Sequence, residues 1–150
     1  MTESSPAPRY AGDLTPLEAW DLLVRDERAL LIDVRTDAEW RYVGVPDASS
    51  LPAGSGPRSA LVEWVDYPGG RPNPHFLDQL TAQGLVPGET RPLVFLCRSG
   101  VRSIGAATAA TAAGLGPAFN VLQGFEGDLG ADGHRGHQGW RAAGLPWRQA

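Results

Sequence analysis

The segment "LVFLCRSGVRSIGAA", residues 93–107, decides the fold. It opens with four apolar residues, Leu93 to Leu96, a short run of the kind that suits a strand buried on both faces of a parallel sheet. A basic loop with a glycine follows, and then "SIGAATAATAAGLG", an alanine-rich stretch that predicts a helix ending at Gly114 or Gly116. Between strand and helix stands Cys97, the one cysteine of the chain. Open parallel sheets build their sites at this place, outside the carboxyl ends of their strands.

Outward from this segment the same grammar repeats. "ALLIDV", residues 29–34, predicts a second buried strand, and "AFNVLQG", residues 118–124, a third. "TPLE", residues 15–18, is a capping box with Thr15 as N-cap, Pro16 in the first turn and Glu18 reaching back. The helix it starts carries Leu17, Trp20, Leu23 and Val24 at helical spacing. Asp37 is expected to cap a short helix over "AEWRYV", and Asn73 and Pro74 to open another that Gly84 closes. "ALVEWV", residues 60–65, fits strand or helix, and "PDASSLPAGSGPRS" reads as loop. Residues 1–13 are expected to be a flexible lead-in and 14–150 the domain. Alternating strands and helices without an internal repeat predict an α/β fold, a three-layer α/β/α domain with a mainly parallel central sheet.

Composition narrows the function. A chain of 150 residues fits one domain with its own core. A net charge of −4 and a charged fraction of 20% give no reason to expect nucleic-acid or membrane partners, and no apolar run approaches the ~20 residues of a membrane helix. One cysteine excludes an intramolecular disulfide, and "MTESSPAPRYAGDL" lacks the basic start and apolar core of a secretory signal, so the cytoplasm is the expected compartment.

The loop after Cys97 can curl so that successive N–H groups of residues 98–102 point inward. Such a nest adds to the positive end of the following helix and favours an anion. With Arg98 and Arg102 at its two ends, a thiol there is expected to ionise easily and to act as a nucleophile. The competing reading is a buried structural thiol. Asp33 and Arg35 read first as an ion pair that ties strand to neighbour. His134 and His137, in "HRGH", lack a third ligand and read as solvated loop residues, so neither a metal nor an organic cofactor is expected.

Three separated motifs, "LIDVRTDAEW", "VFLCRSGVRS" and the closing "NVLQGFEG…GWRAAGLPW", resemble the single-domain rhodanese-like sulfurtransferases in order and spacing over roughly residues 14–148. The resemblance implies a rhodanese-like fold in which Cys97 is the nucleophile and Arg98, Ser99, Gly100, Val101 and Arg102 bind the substrate. It gives Asp33, Arg35 and Glu39 a supporting role. It further implies transfer of a sulfane sulfur from a small anionic donor, of thiosulfate or mercaptopyruvate type, to a thiol, cyanide or protein acceptor through a Cys97 persulfide. Members often read "GHIPGA" after the first strand, where this chain has "GVPDA", residues 44–48, with Gly44 in the place of the histidine. Cysteine-dependent phosphatases and arsenate reductases on the same fold use a longer loop, with arginine six positions after cysteine. Here that position is Ser103 and the arginine is Arg102. A non-catalytic binding module is the third reading, and members of that kind usually lack the cysteine.

Overall fold

A computed structural model describes residues 9–52, 57–66 and 69–149. The elements are β1 (Gly12–Leu14), α1 (Pro16–Arg25), β2 (Leu30–Asp33), α2 (Asp37–Tyr42), β3 (Val45–Pro46), β4 (Ser59–Leu61), α3 (Phe76–Thr81), β5 (Leu93–Leu96), α4 (Arg102–Ala112), β6 (Ala118–Val121) and β7 (Trp147–Arg148). Five of the strands form one parallel sheet in the order β1-β6-β5-β2-β4, and β3 and β7 form a small antiparallel pair. The expected α/β architecture with a parallel central sheet is what the chain adopts.

Position in the sheet explains the sequence pattern. β2 and β5, flanked by strands on both sides and covered on both faces, are buried at every residue, so they read as unbroken apolar runs. The edge strands β1 and β4 alternate in burial instead. One face of the sheet packs Ile32, Phe95 and Ala60 against Phe76 and Leu80 of α3 and against Ala106, Ala107 and Ala110 of α4. The alanines let α4 lie close on the strands. The other face packs Leu31, Val94, Leu96 and Val121 against Ala19 and Leu23 of α1 and against Phe125, Trp140 and Leu145. These are the three expected layers.

Four expectations are corrected. First, residues 11–13 of the expected flexible lead-in belong to the sheet: Ala11 N–H donates to Ala118 O at 2.7 Å, and Gly12 and Asp13 pair with Phe119 and Asn120. Residues 1–8 lie outside the described residues. Second, α1 buries Pro16, Ala19 and Leu23, while Leu17 and Val24 are 60% and 50% exposed. Third, the N-cap of α2 is Thr36, not Asp37, because the Thr36 hydroxyl accepts the Glu39 N–H while the Glu39 carboxylate accepts the Thr36 N–H. Fourth, α3 starts at Phe76, two residues beyond Pro74, after the Asn73 side chain has accepted the His75 N–H. The capping box of α1 is formed as the sequence predicts.

Candidate active site

Parallel register brings the distant motifs together. Asp33, the last residue of β2, lies beside Leu96, the last of β5, and Val34 N–H donates to Leu96 O at 2.8 Å. The segment Arg35–Glu39 therefore leaves the sheet next to the loop Cys97–Val101.

Cys97 is 1% exposed, and its Sγ accepts the Gly100 N–H at 3.1 Å. The Ser103 hydroxyl, in the first turn of α4, stands 3.1 Å from the same sulfur. Gly100 has φ +93°, and a Cβ there would lie 2.9 Å from Gln123 N, so both conformation and space demand glycine. The underside of the loop is held by backbone: Phe125 N–H donates to Cys97 O at 2.8 Å, and Glu126 N–H to Arg98 O at 3.0 Å. Gly124 makes this approach possible, since a Cβ on it would overlap the Cys97 carbonyl oxygen.

The Arg102 guanidinium is held by Glu39. Its Nη1 and Nη2 donate to Glu39 Oε1 and Oε2 at 2.8 and 2.9 Å, a fork-on-fork pair that joins α4 to α2. Burial works against the charge of the Glu39 carboxylate, but Arg102 and then Thr36 outweigh it and hold its pKa below the ordinary glutamate range. Burial likewise works against the Arg102 charge, and Glu39 more than restores it. Arg98 is exposed and has no ion-pair partner among the described residues. A cleft of about 310 Å³ lies over the loop, lined by Arg98, Ser99, Val101 and Arg102 on one side and by Thr36, Glu39, Val65 and Asp66 on the other.

Asp33 and Arg35 sit elsewhere. Arg35 is fully buried and holds Asp33 at 2.7 Å through Nη2, which also donates to Gly44 O at 2.7 Å. Its guanidinium lies 4.1 Å over the Phe125 ring. The pair braces the chain between β2 and β3 and does not line the cleft. Gly44, at φ +113°, leaves no room for a side chain, since a Cβ there would be 2.8 Å from Arg148 O. His137 pairs with Asp132 at 3.1 Å on the surface and His134 is exposed; no group of three metal-binding side chains occurs among the described residues.

Sequence reasoning missed Ser103, Asn120 and Asp13. The Ser103 hydroxyl meets Asn120 Oδ1, and Asn120 Nδ2 donates to Gly100 O at 3.2 Å and to Asp13 Oδ1 at 3.0 Å. A polar residue inside the apolar strand "AFNV" was the available signal.

Comparison with known proteins agrees with this fold. The sequence profile of the Rhodanese-like domain matches residues 15–130. The uncharacterized protein RC0915 of Rickettsia conorii is 31% identical over 132 residues, which cover 87% of this chain and 92% of that one. The crystal structure of Rv0390 from M. tuberculosis superposes with a TM-score of 0.83 at 56% identity, covering 94% of this chain and 99% of the other. The solution structure of a polysulfide-sulfur transferase homodimer from Wolinella succinogenes shares the fold at a TM-score of 0.62 and 22% identity, covering 93% and 79%.

Proposed function

The chain belongs to the Rhodanese-like domain family, and on that premise we propose that it is a sulfurtransferase that cycles through a persulfide on Cys97. The single observation that carries the reading is the Cys97 sulfur under the Gly100 N–H, at the head of a loop that closes at Arg102. The Cys97 thiolate attacks the sulfane sulfur of a small anionic donor. With thiosulfate, a bond forms between the two sulfurs, the bond to the sulfonate sulfur breaks, and sulfite leaves with the electron pair. The outer sulfur is then taken by a nucleophile: cyanide attacks it, thiocyanate departs, and the Cys97 thiolate is regenerated. A small thiol or a protein thiol can take cyanide's place. Arg98, exposed at the rim of the cleft, is the cation that draws the donor in. Loop amides hold the sulfur charge that develops.

The pairing of Arg102 argues against phosphate-ester hydrolysis. Phosphatase loops need an arginine free to grip a tetrahedral oxyanion with both nitrogens, and both terminal nitrogens of Arg102 are engaged by Glu39. No helix among the described residues is long and apolar enough to cross a membrane. A free nucleophilic thiol suits the reducing cytoplasm, which is the compartment we propose.

Intact mass after incubation with thiosulfate or mercaptopyruvate tests the reading. Wild-type protein should gain one sulfur atom and form thiocyanate from cyanide. Cys97→Ser should fold, gain nothing and transfer nothing. Turnover in that variant, or hydrolysis of an aryl phosphate by wild type without any sulfur gain, would overturn it; a folded wild type with neither activity would point to a binding module.

A further inference from the structure

Asn120 has no solvent exposure and lies in register between Asp13 of β1 and Phe95 of β5. A buried amide left without partners is destabilising, so its partners indicate what holds it there. Both hydrogens of Nδ2 are used, one on Asp13 Oδ1 at 3.0 Å and one on Gly100 O at 3.2 Å. Carboxylate and carbonyl oxygens only accept, which fixes the amide in one orientation with Oδ1 towards Ser103. Oδ1 has no hydrogen to give, so the Ser103 hydroxyl points its hydrogen there and can only accept from the Cys97 S–H, which leaves the Gly100 N–H as the one of the two neighbours that supports the thiolate. Asp13 Oδ1 also accepts from the Tyr10 hydroxyl at 2.9 Å, which keeps the carboxylate in place. One amide thus touches both neighbours of the sulfur: Gly100, held by its carbonyl while its N–H reaches Sγ, and the Ser103 hydroxyl.

We propose that Asn120, oriented by Asp13, is a positioning residue of the Cys97 site, holding the Gly100 N–H on the sulfur and setting the direction of the Ser103 hydroxyl. The proposal rests on the reading of Cys97 as the sulfur carrier. Neither Asn120 nor Asp13 lines the cleft over the loop, so both act on the reacting sulfur and not on capture of the donor. Their loss should therefore appear in kcat and leave KM unchanged.

The test compares Asn120→Ala, Asp13→Ala and Asp13→Asn in sulfur transfer from thiosulfate to cyanide and in alkylation of Cys97 by iodoacetamide at pH 7, with circular dichroism on each. Asn120→Ala should lose about tenfold in kcat, the effect of about 1.4 kcal/mol, at unchanged KM. Asp13→Ala should lose severalfold. Asp13→Asn should stay near wild type, because its carbonyl oxygen accepts from Asn120 as the carboxylate does. Alkylation rates should fall in the same order. Wild-type kcat in a folded Asn120→Ala protein, or equal damage in Asp13→Asn and Asp13→Ala, would overturn the proposal. Should Asn120→Ala fail to fold, the Asp13 pair decides alone. Should wild type transfer no sulfur, the functional reading falls, while the order of alkylation rates still decides the positioning role.

Discussion

Glu39 and Arg102 meet through two parallel hydrogen bonds, 2.8 and 2.9 Å long, that join the first helix after β2 to the helix that follows the cysteine loop. The pair is part-buried and Thr36 adds its own N–H and hydroxyl to the carboxylate, so the charge is favoured in the folded protein. Because the folded pKa of Glu39 lies below its ordinary value, the stabilisation is present above that ordinary value and is lost as pH falls through the lowered one. Glu39→Gln should thus cost about 1–2 kcal/mol at pH 7 and almost nothing well below about pH 4. Urea unfolding of both proteins at several pH values reads this directly. A constant difference across the acid range would mean that the charge is not what the pair contributes.

Arg98 and Arg102 should part company in kinetics. Arg98 is exposed at the cleft rim without a carboxylate partner among the described residues, so Arg98→Ala should raise KM for thiosulfate about ten- to hundredfold and barely change thermal stability. Arg102→Ala should instead lower the melting temperature by a few degrees, because it leaves Glu39 without its partner. Steady-state kinetics beside thermal melts distinguish them. Equal KM effects from both would place Arg102 in the donor's path.

Gly124 tolerates no side chain. Its φ is +55°, and a Cβ would overlap the Cys97 carbonyl oxygen and crowd Arg98. Gly124→Ala should push the loop off its floor and destabilise the protein by about 3 kcal/mol, measurable by chemical denaturation. Unchanged stability with unchanged sulfur transfer would show that the Phe125–Cys97 backbone contact is dispensable.

Arg35 and Asp33 form a buried pair whose halves depend on each other. Arg35→Ala leaves the Asp33 carboxylate buried without compensation and should cost about 3–5 kcal/mol. Replacing both with apolar residues of similar volume should recover most of that loss. A double variant as unstable as the single one would mean that the Arg35 contacts to Gly44 O and the Phe125 ring matter more than the pairing itself.

What the sequence displayed was local. The strand Leu93–Leu96, the cysteine after it and the helix from Arg102 follow one another within a few residues, and burial on both faces leaves an unbroken apolar run to read. The Thr15 capping box is legible for the same reason. β1 and β7, three and two residues long, are too short to carry a periodicity. Asp37 looked like a cap because aspartate is a good one, yet Thr36 stands one position earlier with Glu39 at the right distance to reciprocate. The pairing of Arg102 with Glu39 was not legible because the two are remote in sequence, and only the parallel register of β2 and β5 brings Glu39 beside it. Asn120 carried a visible signal, polarity inside an apolar strand, whose meaning depends on Gly100 in the preceding loop and on Asp13 near the start of the chain.

The short pairing of β3 with β7 bears on how the site is completed during synthesis. Trp147 packs edge-on against Phe125 at 6.1 Å between ring centroids, Arg148 O closes over Gly44, and Phe125 N–H supports the Cys97 carbonyl. Phe125 and Gly44 therefore acquire their last neighbours only when Trp147 and Arg148 have cleared the ribosomal tunnel. Cys97 is translated well before its foundation is finished, so a nascent chain should carry a loosely braced thiol for an interval that a downstream segment brings to an end.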